Sequence, residues 1–95
     1  MRSPLGVDAL IHECSMSASD GDGHEYHARV LGRKRHDGTW IGWLEFRPRG
    51  SGGVVRRTPR ETTQPSRKAL LYWALGLDEV YLEGALKRVV SAARV

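Results

Sequence analysis

His12-x-Cys14 and His24-x-x-His27 carry the nitrogen and sulfur ligands that zinc prefers, and four such groups could close a tetrahedral site. Pairing of Leu10–Met16 with the strand that begins near His24 would bring the two groups together. Side chains alternate across a strand, so His24 and His27 share a side only if His24 lies in the preceding loop. The spacing matches no common finger pattern, and the expectation is solvated histidines at a strand end, with no metal and no other cofactor. Cys14 could act as a nucleophile with one of these histidines as base. No elbow, triad order or oxyanion motif accompanies it, and a lone cysteine packs more often as a small buried hydrophobe. Glu45 and Glu61 supply carboxylates without a recognisable partner for acid–base work. Asp20-Gly21-Asp22 lacks the further ligands and terminal glutamate of a calcium loop and reads as a turn. Gly50-Ser51-Gly52-Gly53 lacks the Lys-Ser/Thr pair of a P-loop and reads as a hairpin loop.

Anion binding is the chemistry the residues favour. Eleven of the fifteen Lys and Arg lie between Arg29 and Lys68, against only Asp37, Glu45 and Glu61, so this middle carries +8. The remainder carries −4, and the overall +4 conceals a dipolar chain. Such a surface attracts phosphates or acidic proteins and speeds encounter with them. Arg33, Lys34 and Arg35 are expected at a hairpin tip beside Trp40, with Arg47, Arg49, Arg56, Arg57 and Arg60 at the opposite end. Arg67 and Lys68 open a helix, where they oppose its dipole and an anion would relieve them. The planar guanidinium fork suits phosphate and carboxylate oxygens, and neighbouring aromatic rings can stack on bases.

The elements that must hold these residues follow from periodicity and turn signals. Ninety-five residues predict one domain with one modest core. Residues 1–9 read as an irregular lead-in, Leu10–Met16 as a short strand or a frayed terminus, and Ser17–Gly23 as a loop. His24–His36 and Thr39–Arg47 read as a β-hairpin around Asp37-Gly38, a strong two-residue turn signal. That loop pairs Lys34 with Ile41, Gly32 with Trp43 and Val30 with Glu45, a sorting that a one-residue slip would reverse. Trp40–Phe46 is nearly continuous in apolar residues, so both faces of this strand need cover. One helical layer covers one face, and the N-terminal segment, a second subunit or a ligand must partly close the other.

Val54–Thr58 is expected as a third strand and 58–65 as a polar connection. Thr62 or Thr63 is placed to cap a helix over Ser66–Leu75, with Pro65 in its first turn and Gly76 as its stop. Asp78 can cap a second helix over Glu79–Ala93, the alternative being one long helix bent at Gly76. The fold class is therefore α+β: an antiparallel sheet of three or four strands packed on one side by two C-terminal helices. Val30, Ile41, Trp43, Leu70, Trp73, Leu82, Leu86 and Val89 are the expected core.

With DGTWIGWLEF in the hairpin and TTQPSRKALLYWALGLDEVYLEGAL after it, roughly residues 24–90 resemble small uncharacterised bacterial β-β-β-α proteins. At fold level the layout is similar to HicB-type antitoxin domains, which bind a small basic toxin. The resemblance implies a three-stranded sheet followed by a helix. Those domains tend to be acidic on the toxin-facing side, whereas this middle is basic, so the likeness carries no function. The expected protein is a cytoplasmic, non-catalytic binding module, more often a homodimer than a monomer. Its expected partner is nucleic acid or an acidic protein surface, and no membrane, since no apolar run approaches a spanning length.

Overall fold

The computed structural model describes residues 8–93. In chain order it has β1 (Ala9–Ser19), β2 (Glu25–Lys34), β3 (Trp40–Pro48), β4 (Arg56–Arg57), β5 (Thr62–Gln64), α1 (Arg67–Leu75) and α2 (Glu79–Ala93). The sheet is antiparallel with order β1-β2-β3, and β4 and β5 both pair with the far edge of β3. This is the expected α+β arrangement, with both helices against one face of the sheet. Among the described residues, no helix is long and apolar enough to cross a membrane.

The hairpin forms where expected but in a different register. The Arg35 amide donates to the Thr39 carbonyl and the Gly38 amide to the Arg35 carbonyl, so the loop is His36-Asp37-Gly38. Gly38 takes φ +90°, which closes a three-residue loop of the turn-plus-bulge kind. The Asp37 carboxylate accepts from both the amide and the hydroxyl of Thr39, which fixes this loop. Lys34 therefore faces Trp40, Gly32 faces Gly42, Val30 faces Leu44 and Ala28 faces Phe46. The extra loop residue moves every partner on β3 by one, so the expected sorting of side chains is reversed for that strand.

The core follows from this register. Tyr26, Ala28, Val30, Leu44 and Phe46 point toward the helices and meet Cys14, Ala18, Ala74, Leu82, Ala85 and Leu86. Tyr26 and Phe46 pack edge to face at 6.5 Å, and Trp73 and Tyr81 join the two helices at 6.1 Å. Ile41 and Trp43 leave the expected core, because the slip turns them to the opposite face. Trp73 and Val89 are half-buried at its margin. Gly32 and Gly42, paired across the strands, form a hollow that the fully buried Leu70 of α1 fills. A Cβ on either glycine would lie 2.6 Å from a Leu70 methyl.

The remaining corrections concern edges. β1 runs three residues beyond its expected end and carries two irregularities in its pairing with β2. The expected third strand shrinks to Arg56–Arg57, and the expected polar connection contains β5. β4 and β5 are one edge strand broken around Pro59, which has no amide to donate. Thr58 bridges the break: its amide donates to the Leu44 carbonyl, and its hydroxyl accepts from the Leu44 amide. The Glu61 amide then resumes the ladder by donating to the Gly42 carbonyl. Because Thr62 and Thr63 are in β5, Ser66 caps α1 and accepts from the Ala69 amide, and Pro65 precedes the cap. Asp78 caps α2 as expected, accepting from the Tyr81 amide.

Candidate anion-binding face of the sheet

With the helices on one face, the other face of β1–β4 carries His27, Arg29, Leu31 and Arg33 opposite Arg47, Glu45, Trp43 and Ile41. At its centre lies a buried carboxylate. Glu45 Oε1 accepts from Arg47 Nε at 2.8 Å and from Arg29 Nη1 at 3.3 Å. Its Oε2 accepts from Arg57 Nη2 at 2.8 Å and Nε at 3.1 Å. Burial pushes the Glu45 carboxyl up, but the hydrogen bonds from Arg47 and Arg57 outweigh it and hold the group below the ordinary carboxylate range. Three guanidiniums thus surround one anion. Arg47 and Arg57 stay 52% and 56% exposed while one edge of each fork is held.

Long side chains close the rest of this face. Leu31 and Trp43 are buried although no helix lies above them. The Arg33 guanidinium sits 5.6 Å from the Trp43 ring centre and pairs with Asp8 at 2.7 Å, so its stem and head cover the indole. His27 bonds Glu13 at 3.1 Å, and Arg49 reaches the other ring nitrogen at 3.5 Å. Five guanidiniums (Arg29, Arg33, Arg47, Arg49 and Arg57) therefore share the face with three carboxylates (Asp8, Glu13 and Glu45), leaving it positive.

The other expected site residues do not join it. Lys34 and Arg35 are exposed near the hairpin tip and Arg60 in the break between β4 and β5. Arg56 faces the helix side, opposite Phe46. Arg67 lies 5.9 Å from the half-buried Trp40 ring and donates to the Leu10 carbonyl, so it ties α1 to β1. Lys68 is exposed on the outer side of α1. The basic residues are thus divided between two faces of the sheet, the expected hairpin tip and the expected helix start. Arg29 was missing from the expected set. Part of its signal was available, since it alternates with the apolar residues of β2, but only the three-residue loop of the structure places Glu45 opposite it.

The metal-like residues separate. His24 Nδ1 bonds the Asp20 carboxylate at 2.9 Å, His27 is on the open face, Cys14 is in the core and His12 is half-buried in β1. Among the described residues, no group of three or more His, Cys, Asp and Glu side chains converges as metal ligands do. Asp20 turns the β1–β2 loop by accepting from the amides of Asp22 and His24 and, weakly, from the Tyr26 hydroxyl. Burial pushes the Cys14 thiol up, which disfavours the thiolate a nucleophile needs.

Glu61, expected without a partner, forms a second buried cluster on the helix side. Its carboxylate accepts from the Tyr81 hydroxyl at 2.5 Å and from Arg88 at 3.0 and 3.2 Å, tying the broken edge strand to α2. Burial raises the Glu61 carboxyl, but Arg88 and Tyr81 reverse this and leave it lowered. Burial and the adjacent carboxylate push the Tyr81 hydroxyl up to about 12. No family model, curated protein or solved structure matches this chain.

Proposed function

We propose that this chain is a non-catalytic binding module that takes an anionic partner, nucleic acid in the first place, on the helix-free face of its sheet. The observation that carries the reading is the convergence of Arg29, Arg47 and Arg57 on buried Glu45, flanked by Arg33 and Arg49. A guanidinium has five N–H donors. Glu45 occupies two from Arg57 and one from Arg47, and the half-exposed remainder is free for phosphate oxygens. Holding the forks in place before binding lowers the ordering cost of the complex.

The test is a titration with short duplex and single-stranded oligonucleotides at two salt concentrations. Binding through this face weakens steeply with salt, with a log–log slope of about −0.9 per phosphate contacted on a duplex. The double change Arg47→Ala and Arg57→Ala lowers affinity at least about tenfold and reduces that slope by about two contacts. Lack of binding at low salt removes nucleic acid as the partner.

A second reading, an adaptor or inhibitor of an acidic protein, is favoured by one feature. Arg47, Arg49 and Arg57 are exposed on this face, and a guanidinium fork pairs with carboxylates as well as with phosphates. An acidic polypeptide that binds where oligonucleotides do not selects this reading.

A further inference from the structure

The outer side of α1, on the far side of the helical layer from the basic face, carries apolar residues that nothing covers. α1 buries Leu70 and Ala74 toward the sheet. Leu71, Tyr72 and Leu75 point the other way, with Tyr72 67% and Leu75 56% exposed. Lys68, Leu71, Tyr72 and Leu75 recur at three- and four-residue spacing and so form one stripe along the helix. A contiguous exposed apolar stripe of this kind marks an interaction surface.

The ends of the stripe identify its occupant. Exposed Lys68 stands at the N-terminal end, and exposed Asp78 and Glu79 follow at the C-terminal end. A two-fold axis through the middle of α1 would run two copies of the helix antiparallel. Leu71 of one would lie against Leu75 of the other, and Lys68 would meet the partner's acidic end twice. A two-fold interface requires this self-complementarity, in which each residue meets its mate's counterpart. A partner of uniform charge would meet repulsion at one end.

We propose that the outer stripe of α1 is the interface of a symmetric homodimer of this chain. Its few apolar side chains fall short of the ~800 Å² per partner of a standard interface, so the dimer is weak, with a dissociation constant in the range of about 1–100 μM. The two basic sheet faces then look outward on opposite sides of the dimer. The inference does not depend on what those faces bind.

Sedimentation velocity on the full chain, over about 1–500 μM, reads the result directly. The mass should rise with concentration from 10.6 kDa toward twice that value. Leu75→Asp should hold the chain as a monomer throughout, with an unchanged circular-dichroism spectrum, because the side chain is exposed. Lys68→Glu and Glu79→Lys, each alone, should weaken the dimer at least tenfold, and the two together should restore it. A monomer at the highest concentration overturns the proposal. So does a dimer indifferent to Leu75→Asp, or one not rescued by the paired charge exchange.

Discussion

Glu45 is the residue on which the open face depends, and its environment gives it a pH signature. Glu45→Gln removes the anion that Arg29, Arg47 and Arg57 share and should cost about 1–3 kcal/mol at neutral pH. The folded carboxyl lies below its unfolded value of about 4.3, so its contribution is complete above that value. It is lost as pH falls through the lower, folded value, because the unfolded chain then binds the extra proton first. Urea unfolding of the parent and Glu45→Gln chains should therefore show a gap that is constant from neutral pH to about 5 and closes below about 4. A gap that persists unchanged in acid would show that the carboxylate charge is not what the arginines require. Tyr81 has the opposite sign. Its hydroxyl is raised to about 12, so its contribution is complete below the unfolded value of about 10 and falls as pH climbs toward 12. In Tyr81→Phe that alkaline decline should be reduced, as followed by unfolding at successive pH values.

At the scale of elements, the seating of α1 on the sheet depends on two absent side chains. Gly32 and Gly42 face each other across β2 and β3, and Leu70 occupies the space that their missing Cβ atoms leave. Leu70 is fully buried, so its methyls cannot swing clear. Gly32→Ala meets a second obstruction in the Ile41 carbonyl oxygen at 3.2 Å. Each alanine should destabilise the fold by about 1–3 kcal/mol through overpacking. The cost in Gly42→Ala should shrink when Leu70→Ala is also present, since the two changes act on one contact. Additive losses in a double-mutant cycle would place the strain elsewhere.

Across the whole molecule, neighbours in sequence serve opposite faces. Arg56 and Arg57 are adjacent in β4, yet Arg57 points to Glu45 and Arg56 to the helix side. Arg57→Ala should weaken oligonucleotide binding and reduce its salt dependence by about one contact, whereas Arg56→Ala should leave affinity within about twofold once folding is confirmed. Equal losses would mean that the charge acts as a diffuse field around the chain and not through one face. The two outer surfaces are chemically distinct, since the sheet side presents guanidiniums and the helix side presents Leu71, Tyr72, Leu75 and Val80.

Sequence alone sufficed for what is local. The hairpin at Asp37-Gly38, the stop at Gly76, the Asp78 cap and the stripe of Leu82 and Leu86 all follow from neighbouring residues, because turn geometry and helical spacing act over a few positions. The concentration of arginine in the middle of the chain was equally plain. Tertiary structure decided how those arginines are shared out. One extra residue in the hairpin loop sent Leu44 and Phe46 to the core and Glu45, Trp43 and Ile41 to the open face, a register held by the Asp37–Thr39 bonds in the loop and by packing of Leu44 and Phe46 against the helices. The pairing of Arg57 with Glu45, and of Arg88 with Glu61, joins residues far apart in the chain. Such contacts exist only once the edge strand and α2 have docked, and no spacing in the sequence encodes them.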